Sequence, residues 1–508
     1  MDGQINRKEK QRIDIKKYVT NIKSDLVVDK LNAVEWIVLG LLLMMIWLTL
    51  FYGDNLGIFI TYFWTNEGLF NGGNIRFLGN NQLTYGIVQQ ILGELWVLPA
   101  NLIYRFYKFN AANTVTVLWY KLCMPVIMTL VMHTMIRIGK ELFISAKRIK
   151  WMLILMLSTV LVALPVFHIA QTDLLYSLLI LLGIEAFIKD NRKRFILFFA
   201  MAISCKVIAV FVFVPLVLMR EKRIFYLLRD IIFGCMIVPI ERVWYKIVGA
   251  LNNLIVGKQE YVVQVQQTVN DKQVVVEKSL DQVNTDFMSH FYHKMLFFEF
   301  PAVRKGYMAS LLVTLFVLLC IWCYVQKKDD IAEWNYKCIY VSVVAWLIFF
   351  VNSSPSPYWI VAMYPMLFLM VFMKTERIRL NMLLVNVYTL SMFLVYIMNT
   401  GWVYGGSMNL DYLLLKGLLK PGHVSDYDEG PCVVRYLNNL GVDSIMNIVT
   451  AVCLASAIAI VVANYHKIDI KEDLSDEYEH KLMHGMTIFQ IGFLGIWYII
   501  NVWVVSRW

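Results

Sequence analysis

The sequence predicts an all-α polytopic membrane protein, and three observations carry that fold class. Of the 508 residues, 59% are hydrophobic and only 17% charged, with a mean hydropathy of +0.59, too apolar for an ordinary soluble domain. The apolar residues fall in runs of about 20, the length a helix needs to cross the hydrocarbon core of a bilayer. The basic residues behind the net charge of +10 sit in short clusters between those runs, as in Arg137-Ile-Gly-Lys-Glu and Lys147-Arg-Ile-Lys. That is the positive-inside pattern, and no basic face with interleaved aromatics argues for nucleic acid.

Six of the eight cysteines (Cys123, Cys205, Cys235, Cys320, Cys323, Cys453) lie inside apolar runs, where they act as small hydrophobes, so no disulfide framework is expected. Residues 1–32 are basic and polar, and no small-residue cleavage site follows the next apolar run. An uncleaved first helix with a cytoplasmic amino terminus is the expectation. No internal repeat divides the rest, and residues 33–508 read as one membrane domain.

Taken in order, residues 33–52 form the first span and lead into a first outer loop, 53–112. Within it, the stretch 85–104 is interrupted by Gln89, Gln90, Glu94 and Pro99, so its apolar residues form a stripe, as in helices lying on the outer surface. Counting that stretch as a span would put the basic segment 137–150 outside, because 113–136 is itself a clear span. Residues 151–166 then cross outward and 174–188 return, leaving Lys189-Asp-Asn-Arg-Lys-Arg inside.

The run 195–219 is one span long, yet Arg220-Glu-Lys-Arg at its far end also belongs inside. A bent, re-entrant pair of short helices with Lys206 near its apex satisfies both ends. Residues 231–251 lead to an outer loop, 252–306, in which Tyr261-Val-Val-Gln-Val-Gln-Gln-Thr-Val and Gln273-Val-Val-Val-Glu alternate as a small hairpin would. Runs at 307–325, 338–351, 359–372, 381–398, 445–463 and 488–505 complete the chain. They flank the turn Asn352-Ser-Ser-Pro-Ser-Pro-Tyr and a last outer loop, 399–444. The total is about 11–13 transmembrane helices.

This topology gathers Asp54, His168, Gln171, Asp173, Lys206 and Tyr358 at the outer membrane surface. Ionisable groups at or within a membrane are functional-site candidates by default. Asp54 reads either as the solvated end of the first helix, with Gly53 and Asn55 as turn residues, or as a general base in a partly desolvated cleft. In His168-Ile-Ala-Gln-Thr-Asp, Thr172 or Asp173 is placed to cap a helix, while Gln171 with Asp173 is suited to hold hydroxyl groups. Lys206 is far from both ends of its apolar run and needs an anionic partner: a lipid phosphate, or an acidic side chain on another helix. Pro357 suits a helix first turn. Tyr358 and Trp359 fit an interfacial aromatic belt or the wall of a glycan or polyprenyl groove.

The order of these features resembles the GT-C superfamily of membrane glycosyltransferases, in particular the polyprenyl-phosphate-sugar-dependent, mannosyltransferase-like enzymes. The matching elements run from about residue 35 to 375. They are Asp54 after the first helix, Tyr85 opening the surface helices, Gln171 and Asp173 at a helix start, Lys206 and Pro215 in a helical hairpin, and Pro357, Tyr358 and Pro365. The resemblance implies a GT-C-like bundle with surface helices in the first loop. It also implies an inverting hexosyltransferase, mannose among its candidate sugars, that works on the extracytoplasmic face of a bacterial cell membrane.

By that resemblance Asp54 is the catalytic base, with or without help from a divalent metal. Asn55, His168, Gln171, Asp173, Lys206 and Tyr358 bind substrate, Lys206 at the lipid phosphate. The implied partners are a polyprenyl-phosphate-sugar donor, a glycan, lipid or protein acceptor, and membrane lipids. The rival class is a lipid-linked oligosaccharide flippase or polymerase, or another multi-pass transporter, for which ionisable pairs deep between helices are the expected sign.

Overall fold

The computed structural model describes residues 33–51, 86–108, 114–244, 247, 262–269, 272–279, 310–353, 356–374, 377–399, 410–412, 433–465 and 476–506. Asp54, Asn55 and Tyr85 lie outside the described residues. In the first half of the chain, helix α1 spans Ala33–Leu48, α2 Ile87–Tyr107, α3 Thr114–Glu141, α4 Ala146–Ser158 and α5 Val160–Ala163, which passes into a π turn over Leu164–His168. Helix α6 follows at Leu174–Ile188, α7 at Arg192–Cys205, α8 at Val210–Arg220 and α9 at Ile224–Cys235. In the second half, α10 spans Leu311–Val325, α11 Ile331–Asn352, α12 Tyr364–Met373, α13 Ile378–Asn399, α14 Val433–Asn439, α15 Met446–Ala463 and α16 Asp476–Ser506.

Two short antiparallel ribbons accompany the helices. Strand β1 (Thr49–Phe51) continues α1 and pairs with β4 (Leu410–Tyr412), tying the end of the first helix to a segment late in the chain. Strands β2 (Val262–Val269) and β3 (Lys272–Ser279) pair in register from Val262↔Ser279 to Val269↔Lys272. This is the hairpin that the alternating Val and Gln residues of that loop predict.

Among the described residues, five helices are long and apolar enough to cross a membrane: Leu118–Glu141, Ile331–Asn352, Ile378–Met398, Val442–Ala463 and Tyr478–Ile500. A mostly helical chain with this many apolar helices is an integral membrane protein in character. Five further apolar segments are shorter, namely α1, α6, Val207–Arg220, α10 and Pro357–Met373. Burial separates the centre from the rim. In the most apolar window of α11, 83% of residues are buried, against 22% for the α15 span. Rows of exposed side chains on the outer helices, such as Val34, Ile37 and Leu41 on α1 and Ile448 and Leu454 on α15, are what a lipid solvent requires.

One span departs from the sequence expectation. Residues 151–166 are not a straight crossing, since Ala146–Ser158 and Val160–His168 meet at 70°. The cause is local. Thr159 leaves the helical region at φ −68°, ψ 126°, and Pro165 brings no N–H to the next turn. The chain continues in a π turn closed by Ile169 N–H donating to Leu164 O at 3.0 Å. The last helix also differs: α16 begins at Asp476, well before the apolar run expected at 488–505.

The basic clusters meet at one end of the bundle. Arg137 at the end of α3 bonds Glu185 near the end of α6 at 2.7 Å. Arg192 at the start of α7 reaches Glu221 after α8 at 3.2 Å and Asp230 on α9 at 2.6 Å. Arg148 on α4 pairs with Glu479 on α16 at 2.9 Å, and His484 on α16 bonds Glu35 on α1 at 2.8 Å. Helices α6 and α7 lead from this basic end to the polar groups described next.

Candidate functional site

Helices α7 and α8 form a hairpin broken at Lys206. The last turn of α7 ends there because Lys206 adopts an extended conformation, φ −153° and ψ 116°, before a 3-10 turn over Val207–Ala209 restarts the chain as α8. The basic termini of both helices return to the same end, where Arg192 meets Glu221. Non-helical backbone at this depth requires a protein or aqueous surround in place of lipid, and Lys206 is indeed buried, with 9% of its surface exposed.

Lys206 is held from two sides. Its Nζ lies 2.6 Å from Oδ1 of Asp173, the residue that opens α6. The same ammonium stands 4.1 Å from the centre of the Trp359 ring and 6.0 Å from that of Tyr358. Both rings belong to the 3-10 turn Pro357–Ala362, which Pro357 begins as its fixed φ favours. The turn is fastened to α6 by Tyr176, whose hydroxyl donates to Trp359 O at 3.0 Å. Asp173 occupies the N-cap position of α6 without a capping bond from its side chain, and its carboxylate turns to Lys206 instead. The capping role that the sequence offers Asp173 is therefore not the one it takes.

The segment before α6 is irregular for its whole length. The π turn ends at His168, Ala170 has a φ of +56°, and Gln171 N–H donates back to Pro165 O at 2.9 Å. A left-handed alanine costs about 1 kcal/mol or more, and such strain persists only where the surroundings impose it. His168, Gln171, Thr172 and Asp173 are all buried.

Helix α2 packs over this segment. Gln89 Nε2 donates to Thr172 Oγ1 at 2.5 Å. Glu241, in the helical stretch 237–244, accepts from Ile87 N–H at 2.9 Å and from the Ser204 hydroxyl at 3.4 Å, so one carboxylate joins the start of α2 to the last turn of α7. A carboxylate suits that place, because the first N–H groups of a helix lack partners within it. Gly86 makes the fit possible: a Cβ there would stand 1.6 Å from Ser204 O. Beyond the break, Trp96 and Trp119 stack at 5.0 Å and each donates its indole N–H to the other's carbonyl, at 3.0 and 3.1 Å, locking α2 to α3.

Burial raises the half-buried carboxyl of Glu94 on α2 to about 6. Lys121 on α3 is 5% exposed.

Of the residues singled out by sequence, Asp173 and Lys206 are in direct contact, with Tyr358 at ring distance and His168 and Gln171 in the same strained segment. Asp54 and Asn55 lie outside the described residues. Sequence reading passed over Lys121 as a candidate. From sequence, Gln89 has only a role in the surface stripe, and nothing in the sequence marks Glu241. The signal for Lys121 was present: a lysine within an apolar run, as at Lys206. Among the described residues, no group of three or more His, Cys, Asp or Glu is arranged to hold a metal ion. No family model, no curated protein and no solved structure matches the chain.

Proposed function

We propose that the chain is a GT-C-like membrane glycosyltransferase that moves a hexose from a polyprenyl-phosphate donor to a glycan, lipid or protein acceptor. The observation that carries this reading is Lys206, a cation fixed at a break between two helices by Asp173 and Trp359 and set at the far end of α6 and α7 from the basic clusters. By the positive-inside rule the basic end is cytoplasmic, which makes the Lys206 end extracytoplasmic. The reading takes α1, α6, α10, Pro357–Met373 and the bent pair α4–α5 as further crossings and α7 with α8 as a re-entrant pair, within the expected total of about 11–13 membrane helices. It takes α2 as the surface helix of the first loop and a bacterial cell membrane as the setting.

A phosphate is already a good leaving group, so the enzyme's tasks are to orient donor and acceptor, provide a base and meet the charge that develops on the phosphate. Lys206 serves the last of these, with the Trp359 and Tyr358 rings beside it for the isoprenoid or sugar face. Gln171, Asp173 and His168 stand by for hydroxyl groups, and Asp54, with Asn55 next to it, acts as the base on the acceptor. Strand β1 ends three residues before Asp54 and touches the π turn that carries His168. Three residues reach at most about 11 Å, so the chain length is compatible with a carboxylate near that turn.

A second reading has its own observation. An ion pair between two helices, Asp173 with Lys206, is what a transporter of lipid-linked glycans would use. One experiment separates the two. Purified protein is incubated with a panel of polyprenyl-phosphate sugars, and consumption of donor is followed for the wild type and for Asp54→Asn. The transferase reading expects consumption that Asp54→Asn abolishes while the protein still folds. Intact donor throughout, or an Asp54→Asn variant as active as the wild type, overturns it. Movement of a lipid-linked glycan across proteoliposomes without its consumption supports the second.

A further inference from the structure

At the basic end, the turn between α8 and α9 and the turn between α10 and α11 face each other across an open cleft of about 470 Å³, within the size range of small-ligand sites. Five basic side chains line it against two acidic ones. The two acids are already matched. Asp190 accepts from Arg220 at 2.7 Å. Glu221 accepts from Arg223 Nε at 3.0 Å and stands 3.2 Å from Arg192.

The remaining cations are lysines. Lys222 is oriented by carbonyl groups, donating to Leu218 O at 2.8 Å and Cys323 O at 3.0 Å, and Lys328 makes a long approach to Asp190, 3.9 Å. Lys327 and Lys328 are exposed, and Trp334 forms an apolar wall. Three lysines placed by turns where apolar helices end, with the two carboxylates of the cleft already engaged by arginines, make a site for a multiply charged anion beside a bilayer surface.

We propose that this cleft binds a phosphate-bearing anion, either the head group of an anionic lipid or a free polyphosphate. The site is separate from Lys206, which lies at the other end of α7 and α8, and its occupancy does not depend on the transferase reading. The arginine–carboxylate contacts are the frame, and Lys222, Lys327 and Lys328 are the ligand-binding groups.

The test uses the full-length protein purified in a neutral detergent, with short-chain phosphatidylglycerol and inorganic pyrophosphate as probes in a direct binding measurement. The wild type is expected to bind at least one probe, more weakly at high salt. Lys327→Gln/Lys328→Gln is expected to weaken that binding roughly tenfold or more. Both lysines are exposed, so the double variant should elute from a sizing column as the wild type does. Binding of phosphatidylglycerol alone assigns a lipid head group, and binding of pyrophosphate assigns a free anion. The proposal is overturned if neither probe binds or if the double variant binds both as tightly as the wild type. It also fails if Lys140→Gln/Lys147→Gln, at the end of α3 and the start of α4, weakens binding equally, because the attraction would then be diffuse.

Discussion

Lys206 Nζ lies 2.6 Å from Asp173 Oδ1, and neither side chain is more than 9% exposed. The pair joins the break of the α7–α8 hairpin to the first residue of α6. Removing one partner leaves the other charge buried and uncompensated, at a cost of about 3–5 kcal/mol. Asp173→Asn and Lys206→Met are each expected to lower the unfolding temperature in detergent sharply. The double variant Asp173→Leu/Lys206→Met should recover much of that loss while remaining inactive in donor consumption. A double variant as unstable as the two single ones combined would mean that the pair does not couple.

Gly86 and Gly40 offer a matched comparison. A Cβ at Gly86 meets the backbone carbonyl of Ser204, which has no flexible end to move aside, whereas nothing stands within 4 Å of one at Gly40. Gly86→Ala should therefore lift α2 from α7 and destabilise the fold by about 1–3 kcal/mol, as overpacking does. Gly40→Ala, in the middle of α1, should be neutral or stabilise by up to about 1 kcal/mol through helix propensity. Thermal melts of the two variants side by side check both signs, and equal melting points would remove Gly86 from the account of how α2 docks.

The Arg223 side chain, donating to Glu221, holds that carboxyl down at about 2 from an ordinary value of 4.5. Because the folded state prefers the charged form, the contribution is fully present above the ordinary value and disappears as pH falls from about 4.5 through about 2. Glu221→Gln has no proton to take up there. Melting curves measured from pH 5 downward should fall less steeply for Glu221→Gln than for the wild type, and parallel curves would show that the pair adds nothing.

Asn381 and Asn464 exchange two side-chain bonds, at 3.0 and 2.8 Å, and both residues are fully buried. Replacing Asn381 with Ala takes the donor from Asn464 Oδ1, while Asn464 Nδ2 keeps Ile460 O at 2.8 Å, for an expected loss of about 1–3 kcal/mol. Replacing both with Leu should cost less than the single change. Unfolding of the three variants in detergent measures this, and a double variant worse than Asn381→Ala would argue that the amides matter for more than each other.

What sequence could read here follows from what lipid demands. The pattern of charge at both ends of 195–219 forces the chain to turn back, and Lys206 marks the place because a lysine there has no other way to be tolerated. The β2–β3 hairpin was visible for a similar reason: alternation has a period of two and nothing else in the loop imitates it. The 70° bend at Thr159 was not visible, since a run of Val, Leu and Ala scores the same whether straight or bent. Nor was the partner of Lys206. Asp173 is equally suited to capping α6, and only the fold of α7 beside α6 decides between the two uses. Lys121 and Glu241 acquire meaning in the same way, through helices distant in sequence.

The contact between Arg192 and Glu221 carries a consequence for every loop that follows. Since α7 and α8 leave and re-enter at one end, the pair adds two helices but leaves the parity of crossings unchanged. A hydropathy count that treats 195–219 as one passage inverts the sidedness of all later segments. Reporter enzymes fused after Asp190 and after Lys222 should signal the same compartment, and so should one placed at Lys328, which lies 3.9 Å from Asp190.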